Sequence, residues 1–294
     1  MICTICPRNC GRERREENGD GLCREGTLPR LARAALHHWE EPCISGTRGS
    51  GAVFFSGCNL QCMFCQNYAL SHENLGKTVS VKRLSDIFRE LEDQGAHNIN
   101  LVNPTHFVPA ILDALSLYRP HIPIVYNCGG YEKVETLRAL EGAVDIYLPD
   151  FKYIDSDAAR VYSKAADYPK ICQAALTEMT RQTGAPRYDV QGLMTRGTLV
   201  RHLVLPGLTG HAMRILNWIS ESLPAGTPVS LMGQYTPYGE AEHYPGMNRR
   251  LKKKEYAQVC AHMRVLDLPG YVQELTAADP QFIPAFDLTG VEHL

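Results

Sequence analysis

Residues 51–68, GAVFFSGCNLQCMFCQNY, decide how the chain is read: an apolar run, Ala52 to Phe55, gives way at Gly57 to a loop holding Cys58, Cys62 and Cys65. A short apolar run bounded by a turn residue predicts a buried strand. The loop then sits at the strand's carboxyl end, where parallel α/β folds keep their chemistry. The CxxxCxxC spacing brings three thiolates onto one concave face, and soft sulfur ligands select iron-sulfur clusters or zinc. Three ligands are one fewer than a closed zinc site or an ordinary cubane takes. The spacing therefore predicts a 4Fe-4S cluster with one iron open to a small molecule. A zinc site or a loop of unligated cysteines is the competing reading.

Outward from this stretch, apolar runs recur at 98–104, 122–127, 144–151, 199–206 and 229–235, which with 52–58 makes six predicted strands. Between them lie helical patterns at 81–95, near 108–118, 132–141, 157–183 and 211–223, with a last one near 253–266. Strands alternating with helices predict a parallel sheet with right-handed crossovers. Six units fall short of the eight that close a TIM barrel. The stretch before the first strand, LARAALHHWEEPCISGTRGS at 31–50, reads as a short helix followed by a loop. His37, His38 and Cys43 lie in it without a spacing that marks them as ligands.

With 294 residues, 44% hydrophobic and 21% charged, the chain reads as one large globular domain with a small appendage. A net charge of -2 gives no electrostatic reason to expect nucleic acid or an anionic membrane as partner. Eleven cysteines in a chain this long, with no signal-peptide pattern at the start, fit a reducing cytoplasm. Residues 49–72 carry no Asp, Glu, Lys or Arg, yet Asn59, Gln61, Gln66 and Asn67 argue against a membrane helix and for a dry pocket. No catalytic triad or phosphate-binding loop is present, which disfavours hydrolases and kinases.

The first thirty residues are polar and hold Cys3, Cys6, Cys10 and Cys23. Four thiolates could close a tetrahedral site, and so short a segment benefits from a metal staple. Zinc is the first reading, a second iron-sulfur cluster the next, and four free thiols the alternative. Beyond 267 the chain turns Pro-rich, with apolar points at Phe282, Ile283, Phe286 and Leu288. The expected organisation is thus a Cys-rich segment at 1–30, a barrel at 31–267 and a tail packing on it at 268–294.

CNLQCMFCQNY resembles the cluster loop of radical S-adenosylmethionine (SAM) enzymes, including the aromatic Phe64 before the third cysteine. EEPCISG, NPTHF, DIYLPDFKY and RHLVLPG extend the likeness over nearly all of the chain, to the branch similar to pyruvate formate-lyase activating enzyme. That resemblance implies a partial (β/α)6 TIM-like barrel of the radical SAM type, with a Cys-rich N-terminal extension. It implies that Cys58, Cys62 and Cys65 hold three irons and that SAM chelates the fourth. Reductive cleavage would then give methionine and a 5'-deoxyadenosyl radical that abstracts a hydrogen atom, with the electron coming from a donor such as flavodoxin or ferredoxin. The hydrogen donor would be a glycyl radical enzyme or another protein.

The alternatives are radical SAM modification of another peptide or a small molecule, and a non-catalytic iron-sulfur or zinc scaffold. By the same resemblance, Asn103, Thr105 or His106 would stand where many members carry Gly-Gly-Glu. At the end of the third predicted strand, Asn127 beside Gly129 and Gly130 could bond ribose or carboxylate, a plain tight turn being the alternative reading of the glycines. Asp150 and Lys152 would lie near the methionine carboxylate. Of the adjacent Arg201 and His202 only one can face inward, and the resemblance favours His202. Gln234 is the candidate for substrate contact.

Overall fold

Every residue of the apolar run Ser50–Phe55 is buried, as a strand covered on both faces requires. The computed structural model describes residues 1–275 and 284–292, so Phe282 and Ile283 lie outside the described part. In chain order the strands are β1 (Arg30–His37), β2 (Ser50–Phe55), β3 (Lys77–Thr78), β4 (Ile99–Val102), β5 (Ile124–Cys128), β6 (Ile146–Pro149), β7 (Arg187–Tyr188), β8 (Met194–Thr198), β9 (Val200–Leu203), β10 (Val229–Met232) and β11 (Gly270–Val272). The helices are α1 (Pro42–Ser45), α2 (Tyr68–Ser71), α3 (Val81–Asp93), α4 (Val108–Leu117), α5 (Val134–Ala139), α6 (Ser156–Ser163), α7 (Tyr168–Thr183), α8 (Thr209–Ser222) and α9 (Lys253–Val265).

The strands run in the order β3-β1-β2-β4-β5-β6-β8-β7, and β11-β10-β9 form a second sheet. The pairs β2 to β4, β4 to β5, β5 to β6 and β6 to β8 are parallel, as are β9 to β10 and β10 to β11. Only Leu199 separates β8 from β9. This single stretch changes neighbours midway, pairing first with β6 and then with β10. A bridge from Asp150 to Arg201 joins the two sheets into one curved surface. Helices pack on its outside; α3, for example, is capped by Ser80 and buries Leu84, Ile87, Phe88 and Leu91. The result is a partial TIM-like barrel of α/β class. Among the described residues no helix is long and apolar enough to cross a membrane.

Three sequence expectations need correction. The stretch after residue 30 is not a helix but β1, antiparallel to β2 with Leu31 opposite Phe55 and His37 opposite Ser50. Leu, Ala and Arg are good helix formers, but pairing with β2 and burial of Leu31, Ala32 and Ala34 override that preference. The pattern at 157–183 is two helices, α6 ending where Lys164 takes a φ of +51°. Barrel structure also runs past residue 267, because Gly270–Val272 adds a parallel strand to β10. Farther on, Leu288 N–H donates to the Ala32 carbonyl at 3.0 Å and Ala34 N–H to that of Thr289 at 2.8 Å. The segment from 284 thus lies along the free edge of β1.

Candidate functional site

Gly57 begins the site by turning the chain out of β2 with a φ of +77°. A Cβ there would stand 3.0 Å from the Cys23 carbonyl and run into Glu25, so only glycine lets the cysteine loop seat against the amino-terminal segment. The loop is then pinned from several sides. Asn59 Nδ2 donates to the Tyr131 carbonyl at 2.8 Å, and Met63 N–H to that of Tyr162 at 2.9 Å. Ser163 Oγ donates to Cys62 Sγ at 2.9 Å.

Cys58, Cys62 and Cys65 line one cavity of about 130 Å³, with Asn103, Asp150 and Lys152 on its other walls. Burial pushes the Cys58 thiol up to about 12, with Cys62 and Cys65 adding to the effect, and burial likewise raises Cys65. Metal binding here therefore requires release of thiol protons. Among the described residues no three His, Cys, Asp or Glu side chains stand in a formed metal site, neither in this loop nor at the amino-terminal cysteines. The donor set fits a cluster nonetheless. It offers three soft thiolates on a void large enough for a cubane, with no fourth protein ligand in the loop.

A second cavity, about 380 Å³, adjoins the first and runs into the barrel, lined by Trp39, Glu40, Phe64, Gln234 and Gln273 among others. A ladder of charges joins the two. Arg201 Nη1 meets Glu40 at 3.2 Å and its Nε meets Asp150 at 2.9 Å, while Lys152 pairs with the other Asp150 oxygen. Arg201 Nη2 also donates to Asn127 Oδ1 at 2.6 Å, and Asn127 Nδ2 donates to Glu40 at 3.1 Å. Burial alone would raise the Asp150 carboxyl, but Arg201 and Lys152 outweigh it and hold the group below its usual range. Burial alone would lower Lys152, and Asp150 reverses that. Arg201 and Lys152 therefore keep Asp150 ionised, and Arg201 ties it to Glu40 in one network.

Of the residues singled out from sequence, Asn103, Asn127, Asp150 and Lys152 line the first cavity together with the three cysteines, and Gln234 lines the second. Thr105 and His106 do not line either cavity. Thr105 is buried and donates to Glu132 at 2.7 Å, while His106 Nε2 donates to the Ser56 carbonyl at 2.6 Å. His202 is also turned away, donating from Nδ1 to the Phe151 carbonyl at 2.7 Å, and burial lowers it to about 4. The inward position of that pair belongs to Arg201. A strand's alternation gives the period of facing but not its phase, and the choice of His202 took the wrong phase. Sequence reasoning also missed Glu40, which lies beyond the strand first read as a helix, and Gln273, at the end of the unrecognised β11. Cys3, Cys6, Cys10 and Cys23 gather around a separate small cavity behind the loop.

Comparison with known proteins agrees with this geometry. A family model described as the radical SAM superfamily matches residues 52–219. An uncharacterized protein of Methanocaldococcus jannaschii is 30% identical over 263 residues, covering 86% of this chain and 71% of that protein. Streptococcus suis SuiB bound to S-adenosylmethionine superposes with a TM-score of 0.51 at 13% identity, over 79% of this chain and 52% of SuiB. A radical SAM methyltransferase from Sphaerobacter thermophilus gives 0.51 at 14% identity, over 76% of this chain and 66% of that enzyme. This chain thus spans about half the length of SuiB, and at such identities the likeness speaks for the fold. With the family model covering more than half of the sequence and a three-cysteine loop at the head of a partial barrel, the chain belongs to the radical SAM superfamily, whose enzymes use a 4Fe-4S cluster and S-adenosylmethionine.

Proposed function

We propose that this chain cleaves SAM reductively and directs the radical to a hydrogen atom of a polypeptide, as the enzymes that activate glycyl radical partners do. When bound, the cluster and SAM supply one-electron cleavage of a sulfonium, with the electron from a carrier such as flavodoxin or ferredoxin. The chain supplies the ligands, orientation and exclusion of water. Cys58, Cys62 and Cys65 would hold the cluster. Lys152 and Asn103, on the same cavity wall, would receive the polar end of SAM, and Arg201, locked by Glu40 and Asp150, would keep Lys152 and Asn127 in place.

The observation that carries the reading is this one wall: the Asp150-x-Lys152 pair at the end of β6 faces the cavity of the three cysteines. For the substrate, Gln66, Asn67, Gln234 and Gln273 line the wider cavity beside Trp39 and Phe64. Side-chain amides match the donors and acceptors of a peptide backbone, and the Glu40, Asp150, Lys152 and Arg201 side chains that also line this cavity are paired with one another, which favours a polypeptide over a phosphorylated or strongly charged small molecule. Another peptide modification is the second reading, favoured by SuiB, which has been solved bound to its precursor peptide SuiA.

The test is anaerobic reconstitution, dithionite reduction with SAM, and quantification of 5'-deoxyadenosine and methionine in wild type and Cys58→Ala. Cleavage in wild type alone supports the reading, and equal cleavage in both removes it. A glycyl radical resonance on a co-purified partner selects activation over peptide modification.

A further inference from the structure

The amino-terminal thiols form a second set whose surroundings differ from the first. One turn is closed by Asn9 N–H to the Cys6 carbonyl at 3.1 Å, and another by Arg24 N–H to the Gly21 carbonyl at 3.0 Å. Asn9 and Arg24 adopt left-handed φ values of +40° and +60° to make them. Cys3 N–H donates to the Arg12 carbonyl at 2.9 Å, folding the first residues back on the segment. As a consequence Cys3, Cys6, Cys10 and Cys23, twenty residues apart at the extremes, line a single cavity closed off by Asn59 and His106.

Size separates the two sets. The cavity among the amino-terminal thiols holds about 10 Å³, room for one ion, whereas that of Cys58, Cys62 and Cys65 holds about 130 Å³. No carboxylate lines the small cavity, and four thiolates leave no open position. Soft ligands around one ion in a closed site are the donor set of structural zinc.

The segment is also tied to the cluster loop. Arg8, between Cys6 and Cys10, donates from Nε to the Asn59 carbonyl at 2.8 Å and from Nη2 to the Ser163 carbonyl at 3.2 Å. Ser163 in turn bonds the Cys62 sulfur. Gln61 Nε2 donates to the Leu22 carbonyl at 3.2 Å. One guanidinium therefore spans from the residue after Cys58 to the partner of Cys62.

We propose that Cys3, Cys6, Cys10 and Cys23 bind one zinc ion in a closed tetrahedral site, which through Arg8 holds the cluster loop in position. The site is structural and independent of the substrate proposed above.

The test measures zinc and iron per chain by mass spectrometry of elements, with zinc-edge X-ray absorption on the wild-type full chain. One zinc with four sulfur neighbours at about 2.3 Å is expected. The Cys58→Ser/Cys62→Ser/Cys65→Ser variant should lose its iron and keep the zinc, and Cys6→Ser/Cys23→Ser should lose the zinc. Iron retained by the triple variant would identify a second cluster, while absence of zinc, or a zinc shell of nitrogen and oxygen, would overturn the site. The wild-type absorption decides even where a cysteine variant fails to fold. For the positioning role, Arg8→Ala should keep its zinc and shift the electron paramagnetic resonance of the reduced cluster with SAM. An unchanged spectrum would remove the link to the loop.

Discussion

Arg201 is the residue on which the charge ladder hangs, since it touches Glu40, Asp150 and Asn127 at once. Its importance was not legible in the sequence. RHLVLPG marks a strand with a basic pair, but alternation leaves the phase open, and the strand's phase follows from packing against Phe151 and β10. The cysteine loop was legible because its signal is purely local. Accordingly Cys62→Ala should lose both cluster iron and SAM cleavage, whereas Cys260→Ala, buried in α9, should keep both; iron content and 5'-deoxyadenosine decide. Asp150→Asn leaves Lys152 and Arg201 short of a carboxylate, and breaking such a buried pair costs about 3–5 kcal/mol, to be read from denaturant midpoints. Its pH dependence has a definite sign. The folded-state Asp150 carboxyl lies below its unfolded value, so its stabilisation is present above the ordinary carboxylate range of about 3.9 and is lost as pH falls through the folded value. The variant should therefore show a flatter acid limb than wild type, and identical limbs would mean that the network is not ionised.

At the scale of elements, much of the alternation of strands and helices from β2 to α9 could be read from hydrophobic period, because helices such as α3 and α4 bury a run of apolar residues at helical spacing. β1 could not, since its Ala- and Leu-rich sequence carries helical preference and becomes a strand only through partners remote in sequence. One of those partners is the segment from 284, and Arg83 of α3 is the clamp that fastens it. Its guanidinium pairs with both Glu90 oxygens and donates to the carbonyls of Val291 at 3.1 Å and Gly290 at 2.9 Å. Hydrogen bonds from a charged donor contribute roughly 1.5–3 kcal/mol each. Arg83→Ala should thus release the tail: limited proteolysis should cut within residues 284–292 faster than in wild type, with hydrogen exchange rising along β1 and unchanged in α8. Equal cleavage rates would show that the backbone bonds to Ala32 and Ala34 hold the tail by themselves.

Seen as a whole, the molecule is a barrel core with two appendages on different supports. The tail rests on the edge of β1, with Pro284 reaching the wall of the wider cavity, while the amino-terminal segment rests on the cluster loop itself, with Gly57 under Cys23 and Arg8 on Asn59. Segments with few apolar contacts of their own open at lower free energy than the core they sit on, and a bound ion that stabilises only the closed form raises that opening energy by mass action. If zinc closes the amino-terminal segment, its removal should be felt locally and directionally. Treating the full chain with a zinc-selective chelator should raise amide exchange across residues 1–28 first, and then across 57–65, because Arg8 and Gln61 lose the surface they bond to. The α8 and α9 pair, on the far units of the barrel, should keep its protection. Restoring one equivalent of zinc should restore both fast-exchanging regions together. Exchange that rises in 1–28 alone would leave the ion as a staple of that segment with no hold on the loop, and exchange that rises throughout would mean that the segment is needed for the barrel to stay folded.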